Sequence, residues 1–262
     1  MKVLFIGDII GKPGRRAVSK LLPTLVNDNR IDLVIANGEN AAGGFGLTRK
    51  VVEELFAMKI DVLTSGNHIW DKKEISDFID EYDTLLRPAN YPDGSLGHGS
   101  VIASSIAGKP IGVLNLEGRV FMKPLECPFR VAEKKIAELR QYTDIIIVDI
   151  HAEATSEKQA LGWYLDGKVS AVLGTHTHVQ TADERLLPQG TAYITDAGMT
   201  GPLDSVIGMK SEIIIRKFLT SLPARYDIAK HNVWLQGVIL TIDDQSGRST
   251  HIERLNVKPE GQ

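Results

Sequence analysis

Cysteine is nearly absent from this 262-residue sequence, which contains only Cys127. A single cysteine excludes an intrachain disulfide and a zinc site built from cysteine pairs. Low cysteine usage is also typical of proteins that work in a reducing compartment, so we expect an inert thiol and a cytoplasmic protein.

A strong excess of charge is missing as well, since the net charge is −3 and the isoelectric point about 6.2. Proteins that bind duplex nucleic acid usually carry a clustered basic excess, so the sequence argues against a duplex nucleic-acid partner. A long apolar run is missing too: the stretch from Val3 to Ile10 is interrupted by Asp8 and is too short for a signal peptide or a membrane span. Any anionic substrate must therefore be attracted locally, and we expect no membrane partner.

The sequence does contain repeated short apolar runs, which are typical of strands covered on both faces. They are Val3–Ile6, Leu33–Ala36, Val62–Thr64, Ile111–Leu114, Ile145–Val148, Ala171–Leu173 and Ala192–Ile194. Helical patterns separate the first of them, at Arg15–Val26 and at Arg49–Met58 with Thr48 as its N-cap. Strands that alternate with helices predict an α/β fold.

Three further segments do not follow this alternation. The proline and glycine residues between Arg87 and Gly108 predict a loop-rich insertion. The connection from Glu117 to Pro128 is either a cover for a site or a plain surface loop. Two apolar runs, Val233–Ile242 and Thr250–Val257, predict a hairpin with its turn around Gly247. No linker divides the chain, so residues 1–262 are predicted to form one domain.

Polar side chains follow the predicted strands at the point where each strand ends. They are Asp8, Glu39, Asn40, Asn67, His68, His151, His176 and His178. Ligands of open α/β sheets bind outside the carboxyl ends of the strands, so these side chains are expected to converge. The intervals between successive groups match a strand plus its crossover helix, roughly 30 residues.

Each of these residues has an ordinary structural explanation when it is considered alone. An Asp or Asn at a strand end is commonly a turn residue or a helix cap, and a single histidine is commonly a satisfied polar group. As a cluster they would carry a large desolvation penalty unless cations were bound among them. Carboxylate, amide and imidazole ligands without thiolate suit iron or manganese, and Glu39 has two oxygens with which to bridge two ions.

The motifs that carry these residues resemble those of calcineurin-like metallophosphoesterases. They are Gly7-Asp8, Asn37-Gly-Glu-Asn40, Gly66-Asn-His68 and Gly174-Thr-His-Thr-His178. Longer blocks are similar to the bacterial YmdB family over nearly the whole chain, namely residues 37–42, 66–73, 151–158, 175–183 and 195–202.

This resemblance implies a four-layer fold in which two mixed β-sheets pack together between α-helices. The wider superfamily has a histidine where this chain has Ile10, and in the YmdB family the asparagine at the position of Asn40 fills that vacancy. One metal ion would then be held by Asp8, Glu39, Asn40 and His178, and the other by Glu39, Asn67, His151 and His176. The implied activity is hydrolysis of cyclic nucleotide phosphodiesters, notably 2′,3′-cyclic mononucleotides.

The predicted mechanism uses a hydroxide shared by two metal ions to attack the phosphorus atom. His68 is the candidate proton donor to the leaving oxygen, because an imidazole can transfer protons near neutral pH. Asp71 is expected either to orient His68 or to cap a helix that starts near Lys72. Glu153 is interpreted as a solvated or salt-bridged acid.

Several competing functions can be compared with this one. Dinucleotide-binding and P-loop motifs fail, because the glycines at 7, 11 and 14 have the wrong spacing and Pro13 follows Gly11-Lys12. A nucleotide phosphomonoesterase with the same metal ions remains open, and so does a regulatory protein that binds a nucleotide or a partner and turns over slowly. The sequence leaves the oligomeric state open, a homo-oligomer included.

Overall fold

Two mixed β-sheets form the centre of the fold in a computed structural model that describes residues 1–259. Residues 260–262, the end of the predicted domain, lie outside the described residues. With strands numbered along the chain, the first sheet contains β1 (Lys2–Ile6), β2 (Asp8–Ile9), β3 (Leu33–Asn37), β4 (Val62–Thr64), β11 (Met199–Pro202), β12 (Val233–Ile242) and β13 (Ser249–Val257). Its order is β2-β11-β12-β1-β3-β4, with β13 paired to β12.

The second sheet contains six strands in the order β5-β6-β7-β8-β10-β9. They are β5 (Ser100–Ser104), β6 (Pro110–Glu117), β7 (Ile146–His151), β8 (Ala171–Thr175), β9 (Arg185–Leu186) and β10 (Ala192–Ile194). Strands β6, β7, β8 and β10 are parallel, as are β1, β3 and β4 in the first sheet. Antiparallel partners complete both sheets, so both are mixed.

In the described part of the chain, five α-helices cover the sheets or extend beyond them: α1 (Gly11–Asn29), α2 (Arg49–Ala57), α3 (Pro128–Leu139), α4 (Thr155–Leu165) and α5 (Ser211–Thr220). Two short 3-10 turns, Lys73–Asp77 and Ile79–Glu81, follow β4. Within residues 1–259, no helix combines the length and the apolar character needed to cross a bilayer.

The alternation of side chains along the strands explains the layers. Val3 and Phe5 of β1 pack with Ile111 and Ile147 of the second sheet in a core between the sheets. Leu4 and Ile6 point the other way, into a cluster with side chains of α1 and α2. On the far side, Leu114 and Val148 pack with side chains of α3 and α4. The predicted four-layer α/β arrangement is therefore confirmed.

Most predicted elements occur close to their expected positions. Thr48 caps α2, since its side-chain oxygen accepts a hydrogen bond from the backbone nitrogen of Val51. The C-terminal hairpin pairs β12 with β13, and Gly247 in its turn has a φ of 69°. Helix α1 begins at Gly11, earlier than expected, because Pro13 lies in the first turn, where a helix does not need the missing N–H.

The segment Arg87–Gly108 is rich in loops and turns, as predicted, but it also contains strand β5 at Ser100–Ser104. This strand pairs antiparallel with β6 at the edge of the second sheet. Edge strands need only one partner and tolerate flanking glycine and proline, so their local composition is a poor guide to their structure.

Candidate metal centre

The two sheets bring the carboxyl ends of their parallel strands to one place. Asp8 follows β1, Glu39 and Asn40 follow β3, and Asn67 follows β4. From the second sheet, His151 ends β7, and His176 and His178 follow β8. Asp8, Glu39, Asn40 and His151 are each at most 2% exposed. The structure thus brings all seven sequence-predicted ligands together, although their role as ligands stays a prediction.

Four of the seven side chains meet around Nε2 of His151. This nitrogen lies 2.9 Å from Oε1 of Glu39, 3.1 Å from Oδ1 of Asn67 and 3.0 Å from Nδ1 of His176. The potential ligand atoms of Glu39, His151 and His176 lie within 4.8 Å of one another, an arrangement that can hold a metal ion.

Hydrogen bonds to Nδ1 of His151, on the side of the ring away from the cluster, determine that Nε2 is the nitrogen that faces the cluster. Thr175 donates through Oγ1 to Oδ1 of the buried Asp149 at 2.7 Å, so the same Oγ1 accepts from Nδ1 of His151 at 2.9 Å. With its proton on Nδ1, the neutral imidazole presents the lone pair of Nε2 to the cluster. Burial raises the pKa of Asp149 to about 6, although its hydrogen bonds and His151 act in the opposite direction.

His176 and His178 are oriented in the same way by acceptors outside the cluster. Nε2 of His176 lies 3.1 Å from Oε2 of Glu153, and Nδ1 of His178 lies 3.0 Å from the carbonyl oxygen of Ile207. A carboxylate or a carbonyl oxygen can only accept, so each of these ring nitrogens carries a hydrogen. The other nitrogen of each ring therefore presents a lone pair to the centre, as expected of a metal ligand.

The remaining candidates form a second group beside the first. Oδ1 of Asp8 is buried and accepts no hydrogen bond from any residue between 1 and 259. It lies 3.9 Å from Nε2 of His178. The side-chain amide of Asn40 lies 3.1 Å from Oε1 of Glu39 and 3.2 Å from Nε2 of His178, and a 180° turn of the amide would present its oxygen instead. An orphaned carboxylate oxygen beside an imidazole lone pair fits a cation.

Glu39 connects the two groups, but through one oxygen only. Its Oε2 accepts a hydrogen bond from the backbone nitrogen of His68 at 3.1 Å. Oε1 is the atom close to both His151 and Asn40. Glu39 thus lies between the two groups, and its role as a bridging ligand stays a prediction.

The electrostatics of the cluster show how strongly it attracts positive charge. Burial alone lowers the pKa of His151, but the carboxylates of Glu39 and Asp8 outweigh it and raise that pKa to about 9. Burial alone raises the pKa of Glu39, but His151 outweighs it and lowers that pKa to about 2. Partial burial, together with the neighbouring His151, lowers the pKa of His176 to about 3. The carboxylates therefore attract either a proton or a metal ion to the same position.

Close packing fixes the imidazole of His151 against the loop after β4. A Cβ atom placed on Gly66 would lie 2.1 Å from Cδ2 of His151, far inside van der Waals contact. Glycine in the Gly66-Asn-His68 motif therefore lets the loop approach close enough for Asn67 to reach the cluster.

The buried ion pair of Asp196 with Lys158 supports the loop that carries two of the histidines, and the sequence analysis missed it. Oδ2 of Asp196 accepts from Nζ of Lys158 at 2.9 Å and from the backbone nitrogen and Oγ1 of Thr177 at 3.0 and 2.8 Å. His176 and His178 have φ values of 99° and 63°, in the left-handed region that L side chains rarely adopt. The contacts of Asp196 hold this strained loop in place.

Replacement of Asp196 by asparagine is expected to lower the free energy of unfolding by about 3 kcal/mol, because it leaves the buried ammonium of Lys158 without a counter-charge. Both side chains are fully buried. The measurement is chemical denaturation of chelator-treated protein, so that metal binding does not contribute to the result.

The matched control is the double variant Asp196→Asn/Lys158→Met, which removes both charges and keeps the length of the lysine side chain. It should recover at least half of the lost stability. A double variant that is no more stable than Asp196→Asn would assign the loss to the Thr177 contacts rather than to the unpaired charge.

Two other acids near the cluster are assigned by their contacts. Oδ2 of Asp71 lies 2.7 Å from Nδ1 of His68, so Asp71 orients His68, while the 3-10 turn that begins at Lys73 has no side-chain cap. Glu153 is about half exposed, as expected of a solvated or salt-bridged acid, and it contacts His176.

Glu117 is a buried acid near the cluster that the sequence analysis missed. It lies at the end of β6 and is paired in register with His151. Its carboxylate is buried without a hydrogen bond in the described chain, and burial raises its pKa to about 7.

A cavity of about 770 Å³ opens onto the cluster. Part of its lining is polar and includes Glu39, Asn40, His68, His176 and His178. The other part is apolar and comes from the loop after β3 and from the segment around α5, namely Phe45, Val206, Ile207, Met209, Ile214, Phe218 and Tyr226. A site of this size with one apolar wall and a group of convergent polar atoms is typical of small-molecule binding.

The chain is similar to known proteins over nearly its whole length. The profile of a family described as YmdB-like protein matches residues 4–255. The chain is 52% identical over 255 residues to the 2′,3′-cyclic-nucleotide 2′-phosphodiesterase of Bacillus subtilis, covering 97% of this chain and 96% of that protein.

Two solved structures are similar over nearly their full length. A hypothetical protein from Thermus thermophilus has a TM-score of 0.91 and 43% identity, covering 98% of this chain and 99% of that one. A novel phosphatase from Mycoplasma pneumoniae has a TM-score of 0.91 and 36% identity, covering 98% and 93% respectively.

Proposed function

Because this chain belongs to the YmdB-like family, we propose that it is a metal-dependent phosphodiesterase that hydrolyses 2′,3′-cyclic nucleotides. The observation that carries the proposal is the cluster itself: imidazole lone pairs and side-chain oxygens from both sheets converge at the base of a cavity. The name of the Bacillus subtilis relative supports the choice of a cyclic nucleotide as substrate.

The donor set fits two metal ions in the predicted arrangement. Asp8, Asn40 and His178 would hold one ion, Asn67, His151 and His176 the other, and Glu39 would contribute to both. Bound there, two cations lower the pKa of a water molecule and neutralise the charge that develops on the phosphate. Nitrogen and oxygen ligands without sulfur favour iron or manganese.

The chain's own side chains supply the remaining parts of the reaction. His68 faces the cavity beside the cluster and donates through Nδ1 to Asp71, so in its imidazolium form His68 can give the second proton, on Nε2, to the leaving ribose oxygen. The aromatic rings of Phe45, Phe218 and Tyr226 line the same cavity and give a nucleobase an apolar surface to stack on.

We further propose that residues 1–262 work as one metallophosphoesterase domain, because the cluster takes side chains from both sheets and neither sheet could form it alone. The single cysteine favours the cytoplasm as its compartment.

A substrate panel tests this function. Purified protein is depleted of metal with a chelator, reloaded with iron, manganese or zinc, and assayed with 2′,3′-cyclic, 3′,5′-cyclic and monoester nucleotides. We expect activity to return with metal, and kcat/KM for the 2′,3′-cyclic nucleotides to exceed that for monoesters by at least about 10-fold. A preference for monoesters would instead indicate a nucleotidase, and no turnover with any metal would indicate a regulatory binding protein.

A further inference from the structure

A second cleft, of about 740 Å³, lies beside the cavity of the metal centre. We call it the basic cleft, because six cationic side chains line it: Lys12, Arg15, Lys72, Lys210, Arg225 and Lys230. Among the described residues, Asp227 is the only acid in the lining. In a chain with a net charge of −3, this is a strong local concentration of positive charge.

Two of the six cations are neutralised by carboxylates. Lys210 lies 3.2 Å from Asp227, and Nε of Arg15 lies 3.0 Å from Glu54.

The other four cations form no ion pair with any residue between 1 and 259, and Lys72 instead lies over the ring of Phe45, with its Nζ 4.4 Å from the ring centroid. Lys12, Arg225 and Lys230 are exposed. The basic cleft therefore retains unneutralised positive charge that an anion can use.

The backbone adds to this charge. The first turn of α1 contributes Lys12 and Pro13 to the lining, and the first turn of α2 contributes Thr48 and Val51. The amino-terminal end of a helix carries a partial positive charge that favours a bound phosphate. The contribution here is this charge, because the N–H groups of Gly11, Gly14 and Val51 are already hydrogen-bonded within the chain. Two helix ends and four unpaired cations thus act on the same space.

The basic cleft adjoins the cavity of the metal centre, because the two share a lining residue and sequence neighbours line both. Tyr226 lines both cavities. Gly43 lines the basic cleft, and its neighbour Gly44 lines the cavity of the metal centre. In the same way, Lys72 lines the cleft and its neighbour Asp71 lines the cavity of the metal centre. A ligand whose reactive phosphate lies at the metal centre can therefore extend into the cleft with the next part of its chain.

From this juxtaposition we propose that the basic cleft is a subsite for a second phosphate of the substrate, next to the reactive cyclic phosphodiester. The proposal rests on the proposed function. Two sources share this chemistry: a phosphate on the 5′ oxygen of a cyclic mononucleotide, or the first internucleotide phosphate of a short single-stranded oligoribonucleotide that ends in a 2′,3′-cyclic phosphate.

Three substrates distinguish these sources: uridine 2′,3′-cyclic phosphate, the same nucleotide with a 5′-phosphate, and the dinucleotide UpU with a terminal 2′,3′-cyclic phosphate. We expect kcat/KM to rise by at least about 10-fold when the second phosphate is present, as for a charge-assisted contact. If kcat/KM rises both with the 5′-phosphorylated nucleotide and with the dinucleotide, a second phosphate alone is sufficient. If it rises with the dinucleotide only, the ligand of the cleft is an oligoribonucleotide.

The test variant is Lys12→Ala/Arg225→Ala/Lys230→Ala, in which the preference for the second phosphate should fall to within about twofold of none, because the charge-assisted contacts are lost. The matched control is Arg130→Ala/Lys134→Ala/Lys258→Ala, which removes the same number of exposed cations away from the cleft and should keep the preference. An absent preference in the parent protein, or one that survives in the test variant, would overturn the proposal.

A binding measurement separates failure of the subsite from failure of the proposed function. Calorimetric titration of metal-loaded protein with uridine 3′-phosphate and with UpU 3′-phosphate requires no turnover. We expect the dinucleotide to bind at least about 10-fold more tightly, and its advantage to shrink between about 50 and 200 mM salt. If no cyclic substrate is hydrolysed, the proposed function fails. If the two ligands bind with equal affinity in this titration, the proposal that the basic cleft binds a second phosphate fails.

Discussion

Glu39→Gln is expected to lower kcat toward a 2′,3′-cyclic nucleotide by about 10⁴-fold, as when an essential catalytic group is lost. The amide keeps the shape of the side chain but removes the negative charge that Oε1 offers to both groups of ligands. Two cations close together repel each other, and a shared carboxylate offsets that repulsion. Elemental analysis of the purified variant should find fewer than two metal ions per chain, alongside the loss of turnover.

Glu153→Gln is the matched control, because it makes the same chemical change at the edge of the site. Glu153 is about half exposed and contacts the outer nitrogen of His176. Loss of such an orienting contact costs about 10-fold in activity, and we expect both metal ions to remain. If Glu39→Gln kept two metal ions and lost no more activity than Glu153→Gln, Glu39 would not be the shared ligand.

The positions of the seven candidate ligands were predictable because the rule that places them is topological. A residue just after a parallel strand lies at the carboxyl edge of the sheet whatever the details of packing. Asp8, Glu39 and Asn67 therefore converge once β1, β3 and β4 are recognised as neighbours. The strands themselves were visible because buried parallel strands are almost uniformly apolar.

The residues that orient the ligands were not predictable in this way. Asp196 supports the loop of His176 and His178 through contacts with Thr177 and Lys158, which are 19 and 38 residues away in the sequence. Nothing in the local sequence of Asp196 indicates these contacts. Asp149 directly follows the apolar run Ile145–Val148 and lies within β7, so its position gives no sign of the hydrogen bonds it makes. Such contacts depend on side-chain packing between elements, which a periodic pattern does not specify.

Glu117 is a different case, because a signal for it was present. It ends the apolar strand β6 in the way that His151 ends β7, and the two are register partners. The apolar run in the sequence ends at Leu114, which assigns Glu117 to the following loop. A boundary error of three residues, from Leu114 to Glu117, is enough to hide a buried acid next to the candidate metal centre.

His68→Ala is expected to retain both metal ions and to lose about 10²- to 10⁴-fold in kcat toward a 2′,3′-cyclic nucleotide, the usual contribution of a general acid. Metal binding should survive because His68 contacts Glu39 through its backbone nitrogen, which the substitution leaves in place. The imidazole itself faces the cavity, with Nδ1 held by Asp71 at 2.7 Å. The measurements are kcat and the metal content of the same preparation.

A substrate with a good leaving group separates proton donation from positioning. The nitrophenolate of bis(p-nitrophenyl) phosphate leaves without being protonated, so His68→Ala should lose far less activity with it than with the cyclic nucleotide, whose ribose alkoxide needs a proton. Asp71→Asn, which leaves the imidazole in place but weakens its orientation, should lose about 10-fold on the cyclic nucleotide. Equal losses of His68→Ala on both substrates would mean that His68 positions the phosphate rather than protonating the leaving oxygen.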